Sequence, residues 1–291
     1  MSKKTVFPLH ILYLHIAALL FGGTALFSKF LLFSANDIIL FRSSFSCVLL
    51  IVILLFYPKK LKIHSLKDAI NLILSGICFG IHLYTYFQAI QVSSVGIGVI
   101  SLFTFPMITT LIEPMILRTL PKWKDVLLGF LVLIGVFLIV SESQFDQNSI
   151  KGVVLGIISA FSYSLRNLFQ KYRLSAYSPI STLFYQLLIT FLIMLPFSTV
   201  DLTTVSSVNY GYILLLSVVF TIIPHLAVVE SLKTFDARSV SLILTLQVFY
   251  AIVLAFVLFQ EKLSFSIVLG ALLVVFTVGY ETYRMKFQKR I

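Results

Sequence analysis

Seven residues combine chemical capacity with a place inside long apolar runs: Arg42, His82, Glu113, Arg166, His225, Gln247 and Tyr250. An ionisable group in hydrocarbon costs about 2.5–3.5 kcal/mol on insertion scales, so each needs a reason to be there. Glu113, followed by Pro114, is placed either to hold a substrate amine or a proton, or to form a structural salt bridge to Arg118 or a neighbouring helix. Pro114 removes a backbone donor and is expected to kink its helix, freeing carbonyls toward a cavity. His82 and His225 fall at corresponding depths of two similar halves, and Pro224 before His225 predicts a distorted helix. Each imidazole is satisfied by a single interhelical hydrogen bond, or else the pair lines a cavity. Gln247 and Tyr250 are three apart and share a helix face, and a mid-membrane glutamine is expected to line a cavity rather than face lipid. Arg42 and Arg166 either snorkel to the outer and cytoplasmic interfaces or, facing a cavity, select a carboxylate or phosphate by bidentate contact. Of the tyrosines Tyr84, Tyr86, Tyr163, Tyr185 and Tyr250, some are expected to edge a cavity suited to an organic solute.

Other chemistries lack their signatures. There is no GxxxxGK[ST] phosphate loop, no HExxH and no CxxC pair. Cys47 and Cys78 lie inside apolar runs, which disfavours a disulfide or a metal site, and no cofactor is expected. No polar stretch is long enough for an ATP-hydrolysing domain. Solute movement would therefore run on the solute's own gradient or on an ion gradient, with Glu113 the candidate for proton coupling.

The elements that must position these residues follow from composition. The chain is 59% hydrophobic and 11% charged, against about 25% charged in a soluble domain. Too few charges remain to cover a water-facing surface, so an integral membrane protein is predicted. The net charge of +11 does not point to nucleic acid, because the basic residues sit in short loops rather than on one patch. Ten spans are expected, near 9–32, 37–57, 68–91, 94–117, 125–141, 152–172, 179–198, 209–231, 238–260 and 265–283. The runs are helix-length and lack the alternation of a barrel strand. The first run continues to about Phe33, which reads as a retained span rather than a signal peptide. With the N-terminus in the cytoplasm, seventeen loop and terminal Lys and Arg residues fall inside, and only Lys151 and Lys262 outside. That bias places both termini in the cytoplasm.

The chain also repeats. Phe27-Ser28-Lys29-Phe30 recurs 142 residues later as Phe169-Gln170-Lys171-Tyr172, and Gln88–Ser94 falls opposite Glu230–Asp236 at the same offset. Two units, 1–143 and 150–291, would each hold five spans. An odd number inserts the second unit upside down, giving an all-α membrane protein of ten transmembrane helices as two inverted five-helix repeats.

The turn Gln260-Glu261-Lys262-Leu263-Ser264 with Gly270 beyond it, together with Ala89–Gly98, resembles the EamA-type members of the drug/metabolite transporter superfamily. The resemblance covers the whole chain. It implies a central cavity lined by the first four helices of each repeat, with helices five and ten at the side. Arg118 stands where the family usually has Glu, and Glu113-Pro114 is not part of its pattern. On this reading the protein is an inner-membrane (cytoplasmic membrane) secondary transporter. It would move a small organic metabolite, an amino acid or related compound, by alternating access, as a monomer or homodimer in the lipid bilayer. Two alternatives stay open: a lipid or lipid-linked-sugar flippase, which needs a lateral groove reaching the acyl region, and a membrane-embedded enzyme, which needs His and Glu within hydrogen-bond reach.

Overall fold

A computed structural model describes residues 3–24, 27–140, 147–200, 205–259 and 265–288. Among them there is no β-strand, only helices and short connections. The Gln260–Ser264 turn lies outside the described residues. In chain order the helices are α1 (Lys3–Thr24), α2 (Phe27–Phe30), α3 (Ala35–Leu55), α4 (Leu66–Val92), α5 (Val95–Leu102), α6 (Phe105–Ile116) and α7 (Trp123–Val140). They continue as α8 (Gln147–Tyr172), α9 (Pro179–Met194), α10 (Ser207–Ser217), α11 (Ile223–Leu232), α12 (Ala237–Leu244), α13 (Leu246–Phe259) and α14 (Phe265–Gln288). Among the described residues five helical stretches, Ala35–Leu55, Leu66–Val92, Gln147–Tyr172, Pro179–Phe197 and Ser207–Leu232, are long and apolar enough to cross a membrane.

Serine starts many of these helices. Ser34, Ser65, Ser94, Ser178 and Ser206 are N-caps, each accepting from the backbone N–H three residues on. A short hydroxyl side chain does this because the first-turn N–H groups have no intrahelical partner.

Two expected spans are not continuous. The run 94–117 breaks at Phe103-Thr104 between α5 and α6, where Pro106 opens the second helix. The run 238–260 breaks at Thr245, whose hydroxyl donates back to the Leu242 carbonyl at 2.6 Å and competes with the helical ladder. Pro114 lies inside α6 without ending it. The helix ends beyond it. Arg118 takes φ 53°, and Thr119 N–H to Pro114 O (2.9 Å) with Arg118 N–H to Met115 O (3.2 Å) closes the helix as a left-handed C-cap.

Packing interleaves the two halves of the chain: α4 lies along α8, α1 along α11 and α13, α3 along α9, and α7 along α14. Small residues permit the close approaches. A Cβ at Gly76 would meet Ile189 at 2.8 Å and one at Gly80 would meet Thr190 at 3.3 Å, so this Gly-xxx-Gly face seats α9 on α4. Gly152 and Gly156 face Ser93 and Ser101 in the same way. Large apolar side chains such as Val48, Val52, Phe130, Ile134, Phe137 and Phe276 point outward. Such a surface is unfavourable in water and suits hydrocarbon.

Candidate functional site

Where the two halves meet, α1, α3, α4, α8, α11 and α13 converge with the α5–α6 break on a cavity of about 40 Å³. Arg42, His82, His225 and Gln247 line it among aromatic rings that include Phe21, Tyr86 and Tyr163. Among the described residues no carboxylate lines it, and neither α7 nor α14 contributes a side chain. A water needs about 10–15 Å³ of such volume, so this conformation has room for about three waters and not for a metabolite.

Arg42 does not snorkel: its side chain is 1% exposed. Its Nε–H donates to Thr221 Oγ1 and its Nη2 to the Phe220 carbonyl at 3.1 Å, while Nη1 has no hydrogen-bond partner among the described residues. His225 is also 1% exposed and neither ring nitrogen has a hydrogen-bond partner among the described residues. The ring is wedged between Phe21 and Phe79, with centroids 4.8 and 4.7 Å away. His82 is satisfied instead. Its Nδ1 lies 2.8 Å from Ser159 Oγ, the Ser159 hydroxyl donates to the His82 carbonyl at 2.9 Å, and its ring stacks on Tyr163 at 4.4 Å. The single interhelical bond expected of a neutral imidazole is present at His82 and absent at His225.

Three of the seven residues lie outside the cavity lining. Arg166, fully buried, donates from Nε and Nη2 to Gln186 Oε1 (3.0 and 2.7 Å) and from Nη1 to Asn167 Oδ1 (3.1 Å), and its guanidinium sits 4.8 Å over Phe79. Tyr250 is half-buried against Phe249. Glu113 lies at the far end of α6, 1% exposed. Its carboxylate accepts from the Tyr172 hydroxyl (2.7 Å), the Ala237 N–H (2.7 Å) and the Arg238 N–H (2.9 Å). The last two are first-turn donors of α12, whose own N-cap residue Asp236 makes no side-chain cap bond. Glu113 therefore caps a helix 124 residues away in sequence. No hydrogen bond joins Glu113 to His82 or His225 among the described residues.

Around that cap sits a polar cluster the sequence reading did not single out. Asp125, fully buried, pairs with Arg284 and with Arg238 (2.9 Å). Glu281, fully buried, pairs with Arg284 at 2.8 Å and accepts from Ser239 at 2.5 Å. Thr221 and the Phe220 carbonyl, which hold Arg42, were also missed. The signal for the carbonyl was present, since Pro224 has no N–H to return to the residue four before it.

A sheath of apolar side chains around a buried cationic cavity is the form of a multi-pass membrane protein that handles a small solute. The EamA-like transporter family matches residues 8–141 and again 150–280, and the chain belongs to that family. It is accordingly a small-metabolite transporter. A curated relative, an S-adenosylmethionine uptake transporter of Rickettsia conorii, is 22% identical over 260 residues, covering 86% of this chain and 83% of its own. A protein known from a crystal structure matches 95% of this chain and 98% of its own with a TM-score of 0.78 at 15% identity, a likeness of fold alone.

Proposed function

We propose that the protein carries a carboxylate-bearing metabolite, an amino acid or amino-acid derivative, across the cytoplasmic membrane by alternating access. The units 1–143 and 150–291 would act as inverted five-helix repeats, ten spans in all, with both termini in the cytoplasm. Helix breaks at Thr104 and Thr245 lie at matching places in the two units, as a pseudo-two-fold repeat requires. The observation that carries the substrate reading is Arg42. A buried guanidinium with a free donor, in a cavity lacking any carboxylate, is poorly compensated as it stands. A substrate carboxylate would complete it. The rings of Phe21, Tyr86 and Tyr163 would cover an apolar or planar remainder, and Gln247 offers both donor and acceptor. S-adenosylmethionine, the relative's substrate, is an amino-acid derivative and has the carboxylate that Arg42 needs. Because the cavity has room for about three waters and not for a metabolite, loading requires the helices to separate, which is what alternating access supplies.

Reconstituted protein is the test. Saturable uptake of labelled S-adenosylmethionine, or of an amino acid that competes with it, and its loss in Arg42→Ala would support the reading. Full uptake in Arg42→Ala would sink it.

One observation favours a second reading. A largely apolar groove of about 500 Å³ opens between α1, α9 and α11, with Lys60 and Glu230 at its rim. A flippase needs such a lateral path for an acyl chain. Fluorescent-lipid scrambling in the same vesicles separates the two: lipid movement without solute uptake selects the flippase.

A further inference from the structure

Arg42 reaches the cavity from α3, but what aims it belongs to the other half of the chain. Between α10 and α11 the helix widens into a π-helical turn, Val218–Ile222. Such single turns are rare and frequent at functional sites. Here the cause is local. Pro224 has no N–H, so the Phe220 carbonyl four residues earlier loses its α-helical donor. That carbonyl takes Arg42 Nη2 instead, at 3.1 Å. The next residue, Thr221, spends its hydroxyl proton on the Leu216 carbonyl, 2.6 Å away and five residues back. Its oxygen lone pair is thereby left for Arg42 Nε–H. Ser217, at the start of the turn, donates to the Ile213 carbonyl at 2.7 Å with its oxygen 3.3 Å from the Arg42 carbonyl, and the Ser46 hydroxyl of α3 donates to the Ser217 carbonyl at 3.4 Å, so the two backbones lie close together.

The guanidinium is planar and its five N–H donors form a rigid fork. With Nε and Nη2 both anchored, the plane has one orientation, and the unpartnered donor is Nη1, on a side chain that lines the cavity. We propose that Thr221 and the proline-freed Phe220 carbonyl are positioning groups that pre-aim Arg42 for a substrate carboxylate, and that this turn, more than Arg42 alone, sets the preference for an anion. The inference rests on Arg42 being the carboxylate anchor. Holding a long, flexible side chain in its bound geometry removes an ordering penalty that each binding event would otherwise meet. It also explains why a proline stands inside an otherwise spanning helix.

The cavity's size dictates the probe. Acetate fits a space of about 40 Å³, and acetamide has the same shape without the charge. Binding is read as the concentration dependence of the thermal shift of detergent-solubilised protein in chloride-free buffer. Wild type is expected to bind acetate in preference to acetamide, and Thr221→Ser to match it because the hydroxyl is kept. Thr221→Val, equal in shape but without the hydroxyl, is expected to bind acetate about tenfold more weakly, the size of one lost hydrogen bond to a charged group, with acetamide unchanged. Pro224→Ala returns an N–H to the Phe220 carbonyl. It should melt higher than wild type without ligand and yet bind acetate more weakly, a combination that a purely structural proline would not produce. If Thr221→Val and Pro224→Ala bind acetate as wild type does while Arg42→Ala does not, the positioning role is wrong and the anchor stands. If Arg42→Ala also binds normally, or wild type ignores acetate, the anchor reading falls and this inference with it.

Discussion

Replacing Glu113 by Gln tests whether this buried carboxylate is a coupling site or a structural cap. Its two oxygens accept three hydrogen bonds, from Tyr172, Ala237 and Arg238, the last two being backbone donors at the start of α12. Glutamine keeps one acceptor oxygen and turns the other into a donor that faces donors. Loss of negative charge at the helix N-terminus forfeits about 0.5–2 kcal/mol. The buried N–H left unpaired adds about 1–3 kcal/mol. A destabilisation of about 2–4 kcal/mol follows, and at about 2–4 °C per kcal/mol for a chain near this size the melting temperature should drop by several degrees or more. The assay pairs thermal denaturation of the solubilised protein with solute flux in sealed vesicles, measured with and without a pH gradient. We expect a lowered melting temperature and an unchanged response to the gradient. A variant that melts like wild type but no longer responds to the gradient would refute the capping argument and return Glu113 to the role of proton site.

Two further expectations concern packing and charge. A Cβ at Gly135 would meet the Gly270 carbonyl at 2.9 Å and Val274 at 3.1 Å, so Gly135→Ala should loosen α7 from α14 and destabilise by about 1–3 kcal/mol. Gly279 on α14 has nothing within 4 Å of such a Cβ, and Gly279→Ala should be neutral or stabilising by about 0.5–1 kcal/mol; paired melting curves check both. Asp125→Asn strips the buried acid shared by Arg238 and Arg284 and should destabilise by about 3–5 kcal/mol. Adding Arg284→Met should recover part of that loss, and strict additivity in the double-mutant cycle would show that the pair is not coupled.

Much about this protein was readable in the order of its residues. Low charge and helix-length apolar runs imply a helical membrane protein, because hydrocarbon offers the backbone no other partners. Serine and proline mark several helix starts and Pro224 forecasts a distortion, both through interactions spanning a few residues, while the Gly76-xxx-Gly80 spacing marks a face that another helix can approach closely. The Gln260–Ser264 turn with Gly270 beyond it and the Ala89–Gly98 stretch pointed to the family that the match over residues 8–141 and 150–280 then established.

What tertiary structure decided is which polar residues meet. In a soluble helix, the contrast between an apolar core face and a polar water face tells where each side chain points. In lipid the outward face is as apolar as the packed one, so that contrast largely vanishes. Glu113 and Arg42 were thus equal candidates from sequence, yet one caps a helix 124 residues away and the other lines the cavity with a free donor. Arg166, equally conspicuous, is consumed by Gln186 and Asn167. Residues far apart in the chain acquire a shared role only through packing between helices, and no local period encodes that partnership.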